Sequence, residues 1–118
     1  MKLRIQGNSL RLRLTQKDVA DLSGNGRVES RIEFSPGQVL VYLLEGSRRA
    51  KSVDAAFDGR AIRVTVPTHV LKEWAASEQV SIEAAAPTGL QLLIEKDFQC
   101  LHGRGDQDVD AYARPLMS

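Results

Sequence analysis

Residues 2–22 read KLRIQGNSLRLRLTQKDVADL. Leu3 and Ile5, then Leu10, Leu12 and Leu14, alternate with Lys2, Arg4, Arg11 and Arg13. A period of two marks strands with one dry and one wet face. Gly7 and Asn8 separate the two runs and both tolerate positive φ, so a tight hairpin is predicted. After Thr15 the spacing changes. Val19 and Leu22 fall at helical intervals, with Thr15 as the expected N-cap and Gly24 as the expected stop.

The same order returns further along. GRVESRIEFS (26–35) and GQVLVYLLE (37–45) read as a hairpin turned at Pro36-Gly37. SVDAAF (52–57) and AIRVTV (61–66) flank Asp58-Gly59, the strongest hairpin signal in the chain. THVLKEWAAS (68–77) places Val70, Leu71 and Trp74 on one helical face with Thr68 as the expected cap. VSIEAAA (80–86) and LQLLIEKDF (90–98) make a last pair. A shift of 52 residues, without a gap, lays Gly7 on Gly59, Arg11 on Arg63, Val28 on Val80 and Gly37 on Gly89. It also lays Leu22 on Trp74. The expectation is an internal duplication of a ββαββ unit, about residues 1–50 and 53–102, within one domain of residues 1–103. A polar tail, 104–118, follows.

Eight strands must each bury one face, and a sheet of that size curls, closes or splits. The fold class expected is mainly β (α+β): a closed or nearly closed barrel whose open ends are plugged by the two short helices, Leu22 and Trp74 being the plugs. An open two-layer α+β sandwich is the alternative. The order of elements resembles the small cyclophilin-like barrels. No prolyl isomerase motif accompanies it, so no activity is transferred.

Composition narrows the function classes. With 42% apolar and 26% charged residues and a net charge of +1, the 118-residue chain has no global attraction for nucleic acid or anionic membrane. Nucleic acid remains a less favoured partner, because aromatic residues make up only 5% and stacking platforms need exposed rings. No apolar run approaches the ~20 residues of a membrane helix, and the N-terminus lacks a signal-peptide pattern. A single cysteine excludes an intrachain disulfide or a cysteine-rich zinc module. The expected setting is the reducing cytoplasm.

RIQGNSLRLRLT (4–15) and LLIEKDFQCLHGR (92–104) together resemble a family of small bacterial proteins of about this length with no established function. That resemblance implies a bacterial single-domain protein. It supplies no catalytic residue, and the cofactor, if any, stays unknown.

Two sets of residues can carry chemistry. Strict alternation puts Lys2, Arg4, Arg11 and Arg13 on one face of the first hairpin. Like charges opposed across strands repel by up to ~1 kcal/mol per pair, so the face calls for an anion. An anionic ligand or a protein partner would meet that need, with Arg31, Arg48, Arg49 and Lys51 as candidate extensions. The competing reading is internal neutralisation by Glu29, Glu33 or Glu95. The second hairpin carries no such signal, and there Asp54 is expected to face Arg63.

Cys100 and His102, separated by one residue, would share a face if their strand continued, and Asp106 could add an oxygen ligand to a metal site. A metal-dependent enzyme or sensor is the function that site would support. The competing reading is a polar extension. Asp106, Asp108 and Asp110 begin like a calcium loop, but Ala111 and Met117 stand where glycine and glutamate are required. The acidic run could instead fold back on the basic face or reach a second subunit. A third function class is an oligomeric scaffold. Across these classes the residues favour binding over catalysis.

Overall fold

The computed structural model describes residues 1–97. Eight strands and two helices follow in the order β1 (Lys2–Gln6), β2 (Ser9–Leu14), α1 (Gln16–Asn25), β3 (Arg27–Ser35), β4 (Gln38–Ser47), β5 (Asp54–Phe57), β6 (Ala61–Pro67), α2 (Thr68–Ala76), β7 (Ser81–Ala85) and β8 (Gln91–Lys96). The strands form two four-stranded sheets, ordered β1-β2-β8-β7 and β3-β4-β6-β5. They are called here the first and second sheet. In each, a parallel central pair, β2 with β8 or β4 with β6, is flanked by antiparallel hairpin partners. Among the described residues no ladder joins the two sheets, so the barrel expected from the strand count is not closed by hydrogen bonding.

Both sheets supply the same core. Leu10, Leu12, Leu14, Ile82, Leu92 and Ile94 of the first meet Val28, Tyr42, Leu44, Ile62, Val64 and Val66 of the second in one apolar cluster. The two helices pack against each other; Leu22 of α1 and Leu71 and Trp74 of α2 are buried, at 2%, 6% and 0% exposed, as the helical spacing predicted. The Trp74 indole N–H donates to the Val80 carbonyl at 3.0 Å, and the Lys96 ammonium lies 5.3 Å above its ring. A buried indole needs such a partner for its one donor.

The helix ends show where local rules succeed. Thr15 caps α1 as a capping box: its hydroxyl accepts from the Asp18 N–H at 3.1 Å, and the Asp18 carboxylate accepts from the Thr15 N–H at 3.0 Å. The stop is Gly26 rather than Gly24. Gly26 takes φ of 82°, and its N–H reaches the Leu22 carbonyl at 2.8 Å. In α2 Thr68 is the first helical residue and Pro67 holds the cap position, with no side-chain cap bond.

The 52-residue correspondence holds within hairpins and fails between them. Ile5↔Leu10 in the first hairpin becomes Phe57↔Ile62 in the third, both partners displaced by 52. Arg11, however, lies beside Leu93, while Arg63 lies beside Leu43 rather than Val41, so the parallel ladders differ by two residues. Val28 accordingly corresponds in space to Ile82, not Val80. Val28 and Ile82 are buried and pair with the buried Leu44 and Ile94, whereas Val80 is 45% exposed.

The turn at Asp58-Gly59 also differs from expectation. Gly59 and Arg60 are its central residues, and the Asp58 carboxylate accepts from the N–H groups of Ala61 at 2.8 Å and Arg60 at 2.9 Å. Those backbone bonds, from Ala61 first and Arg60 next, hold the Asp58 carboxyl below its ordinary range. This register sets Ala56, not Asp54, opposite Arg63.

Candidate binding face

The outward residues of the first sheet form rows across its four strands. One row is Lys2, Arg13, Glu95, Ser81; the next is Arg4, Arg11, Leu93, Glu83. Lys2↔Arg13 and Arg4↔Arg11 are direct cross-strand partners, so the predicted basic face exists with two like-charged pairs opposed. Lys2, Leu3, Arg4, Arg11 and Arg13 line a hollow of about 180 Å³.

Among the described residues neutralisation is partial and comes from one residue. Glu95 accepts from Arg13 Nε at 3.0 Å and from Nη2 at 2.9 Å through the same Oε1, and lies 4.0 Å from Arg11 Nε. Of the three carboxylates expected to serve this face, only Glu95 does. Glu29 pairs with Arg27 in the second sheet, and Glu33 lies on β3 of that sheet. Among the described residues Lys2 and Arg4 make no ion pair. Four cations against one carboxylate leave an electrostatic excess that an anion would relieve.

The expected extensions lie elsewhere. Arg31 is on β3 of the second sheet, and Arg48, Arg49 and Lys51 belong to the link between β4 and β5. Arg48 lines a separate depression with His69 and Lys72 at the start of α2.

Cys100, His102 and Asp106, the candidate metal ligands, lie outside the described residues, as do Asp108 and Asp110. Among the described residues no group of three or more histidine, cysteine, aspartate or glutamate side chains is placed to hold a metal ion.

Sequence reasoning missed the other half of the face. Over Leu93 runs a groove of about 490 Å³, bordered by Ser9, Arg11, Glu83 and Gln91. Its signal was the run Leu92-Leu93-Ile94: three consecutive apolar residues in an alternating strand leave one on the polar side. What the run did not reveal is that β8 lies between β2 and β7, which puts Leu93 between Arg11 and Glu83.

A mainly β protein of two sheets sharing one core, with a cationic patch on one of them, is the class that fold and face define. The chain belongs to the family of unknown function DUF7009, whose match spans residues 1–116. No curated protein and no solved structure matches it. Among the described residues no helix is long and apolar enough to cross a membrane.

Proposed function

We propose that the protein is a binding module for an anionic ligand, held on the first sheet by Lys2, Arg4, Arg11 and Arg13. One observation carries this reading: among the described residues, two directly opposed cationic pairs are served by a single carboxylate, and that carboxylate is engaged by Arg13. Arg4 and Arg11, adjacent and opposed, are the residues with most to gain, because guanidinium groups bind oxyanions in forked geometry. The same reading takes the chain as two copies of a ββαββ unit, about 1–50 and 53–102, of which only the first carries the patch. The shared hairpin registers support it.

Calorimetric titration with inorganic pyrophosphate at low and high salt tests the assignment. Binding should weaken as salt rises and fall at least about tenfold in an Arg4→Ala/Arg11→Ala variant. Absence of binding, or binding indifferent to salt and to that substitution, would overturn it.

A second reading, an oligomeric scaffold, has the exposed Phe34 and Phe57 in its favour, at 71% and 64%. Sedimentation velocity decides it. A dimer or larger species dispersed by Phe34→Ser would establish the scaffold, and a monomer at all concentrations would remove it.

A further inference from the structure

The outer faces of the two sheets carry the same transverse track. In the first sheet Arg11, Leu93 and Glu83 lie side by side on β2, β8 and β7. In the second, Arg63, Leu43 and Glu29 occupy the corresponding places on β6, β4 and β3. The second track is closed. Arg63 donates to Glu45 at 2.9 Å, Glu29 is paired by Arg27, and Leu43 is 3% exposed. Among the described residues the first track is open. Arg13 has captured Glu95, which leaves Arg11 at 4.0 Å from it. Ser81 stands where the second sheet has Arg27, and among the described residues Glu83 makes no ion pair. Leu93 is only half-buried, at the floor of the 490 Å³ groove.

The geometry points to a ligand with both signs of charge: a short free peptide, about three residues long, lying across the strands of the first sheet. Its carboxylate would sit on Arg11, with Arg4 behind it. Its central side chain would rest on Leu93, and its ammonium would reach Glu83. Two interstrand spacings of ~4.8 Å separate the β2 and β7 backbones, so the charged ends of the site stand about 10 Å apart. An extended tripeptide spans about that distance. A single amino acid is too short to bridge it. Ser9 and Gln91 border the groove and offer hydrogen bonds to the peptide backbone. Apolar floor, convergent polar groups and opposed charges are the features of a small-ligand site.

The assignment rests on the anion-binding reading for one end of the ligand and adds Leu93 and Glu83 for the rest. The peptide Ala-Leu-Ala, its N-acetylated form and inorganic pyrophosphate, titrated into the full-length chain, separate the two. The free tripeptide should bind at least about tenfold more tightly than the acetylated one. Glu83→Gln should lower tripeptide binding by about tenfold and leave pyrophosphate unchanged, while Arg11→Gln should lower both. Circular dichroism of each variant establishes that it folds. Equal binding of free and acetylated peptide, or indifference to Glu83→Gln, overturns the peptide site. Pyrophosphate binding without tripeptide binding leaves the anion face standing and removes this inference. Failure of both ligands removes both readings.

Discussion

The two sheets share a core, an equivalent strand order and a transverse Arg-Leu-Glu track, yet among the described residues the charges of one track are closely paired and those of the other are not. The difference lies in very few residues. Arg13 in the first sheet stands where the second has Thr65, and Ser81 stands where it has Arg27. The first exchange draws Glu95 towards Arg13 and leaves it 4.0 Å from Arg11, and with the second Glu83 has no ion pair among the described residues. Counting two rows per sheet, the first has four cations and two carboxylates, the second two cations and three carboxylates. Charge placement alone leaves one of two similar sheets with an unbalanced cationic face among the described residues, while the cations in the matching rows of its partner are paired.

The shared core is where the comparison can fail most visibly. Trp74→Ala should cost about 3–5 kcal/mol and Leu22→Ala about 2–5 kcal/mol. Both sheets should still unfold in one urea transition, because each plug touches the common cluster. Two separate transitions would mean that the sheets are independent.

The helices provide the next contrast, since only α1 has a side-chain cap. Thr15→Ala should cost about 1 kcal/mol in the same assay, whereas Thr68→Ala should cost less as a cap. Acid sensitivity should follow α1. Burial by itself would raise the Asp18 carboxyl. Against it stand the N-terminal ammonium at 2.8 Å and the hydrogen bonds of Thr15, which hold the carboxyl below its ordinary 3.8. A lowered native pKa gives stability that is fully present above 3.8 and lost as pH falls below it towards the native value. Thermal melts should therefore show a shallower drop below pH 3.8 in Asp18→Asn than in the wild type. Parallel curves would place the acid-labile group elsewhere.

Removing Glu95, the carboxylate that pairs with the cationic patch among the described residues, should be felt more than removing its counterpart in the second sheet. Glu95→Gln should destabilise by up to about 1 kcal/mol at low salt, with much of the loss recovered in 0.5 M salt, and Glu45→Gln by a few tenths. Equal costs would show that the patch is already balanced.

The smallest expected change in stability has the clearest functional readout. Ser81→Arg should seal the first sheet as Arg27 helps seal the second, shifting stability by no more than a few tenths of a kcal/mol. The same substitution should abolish Ala-Leu-Ala binding. Retained binding would mean that Glu83 is not part of the site.

Period-two alternation, the Gly7-Asn8 turn and the Thr15 cap depend on neighbours within a few residues. That is why the eight strands and two helices of the described residues, and the shared face of Lys2, Arg4, Arg11 and Arg13, were legible in the sequence, while the pairing Lys2↔Arg13 and Arg4↔Arg11 came from the structure. The Asp58-Gly59 turn was legible only as a turn. Its register depended on which two residues the Asp58 carboxylate bridges, so Arg63 was assigned to Asp54 when its partner is Glu45.

The pairing of β2 with β8, which brings Glu95 to Arg13 across 82 residues, has no local signal. Nor does the two-residue slide between the parallel ladders. Six positions separate Leu22 from Val28 and eight separate Trp74 from Ile82, so the two chain crossings enter the core differently. Alternation says which face a side chain takes, because that face is a property of the strand itself. Which charge stands beside it is decided by the strand packed alongside, and only the shared core, filled from both sheets at once, chooses that neighbour and its register.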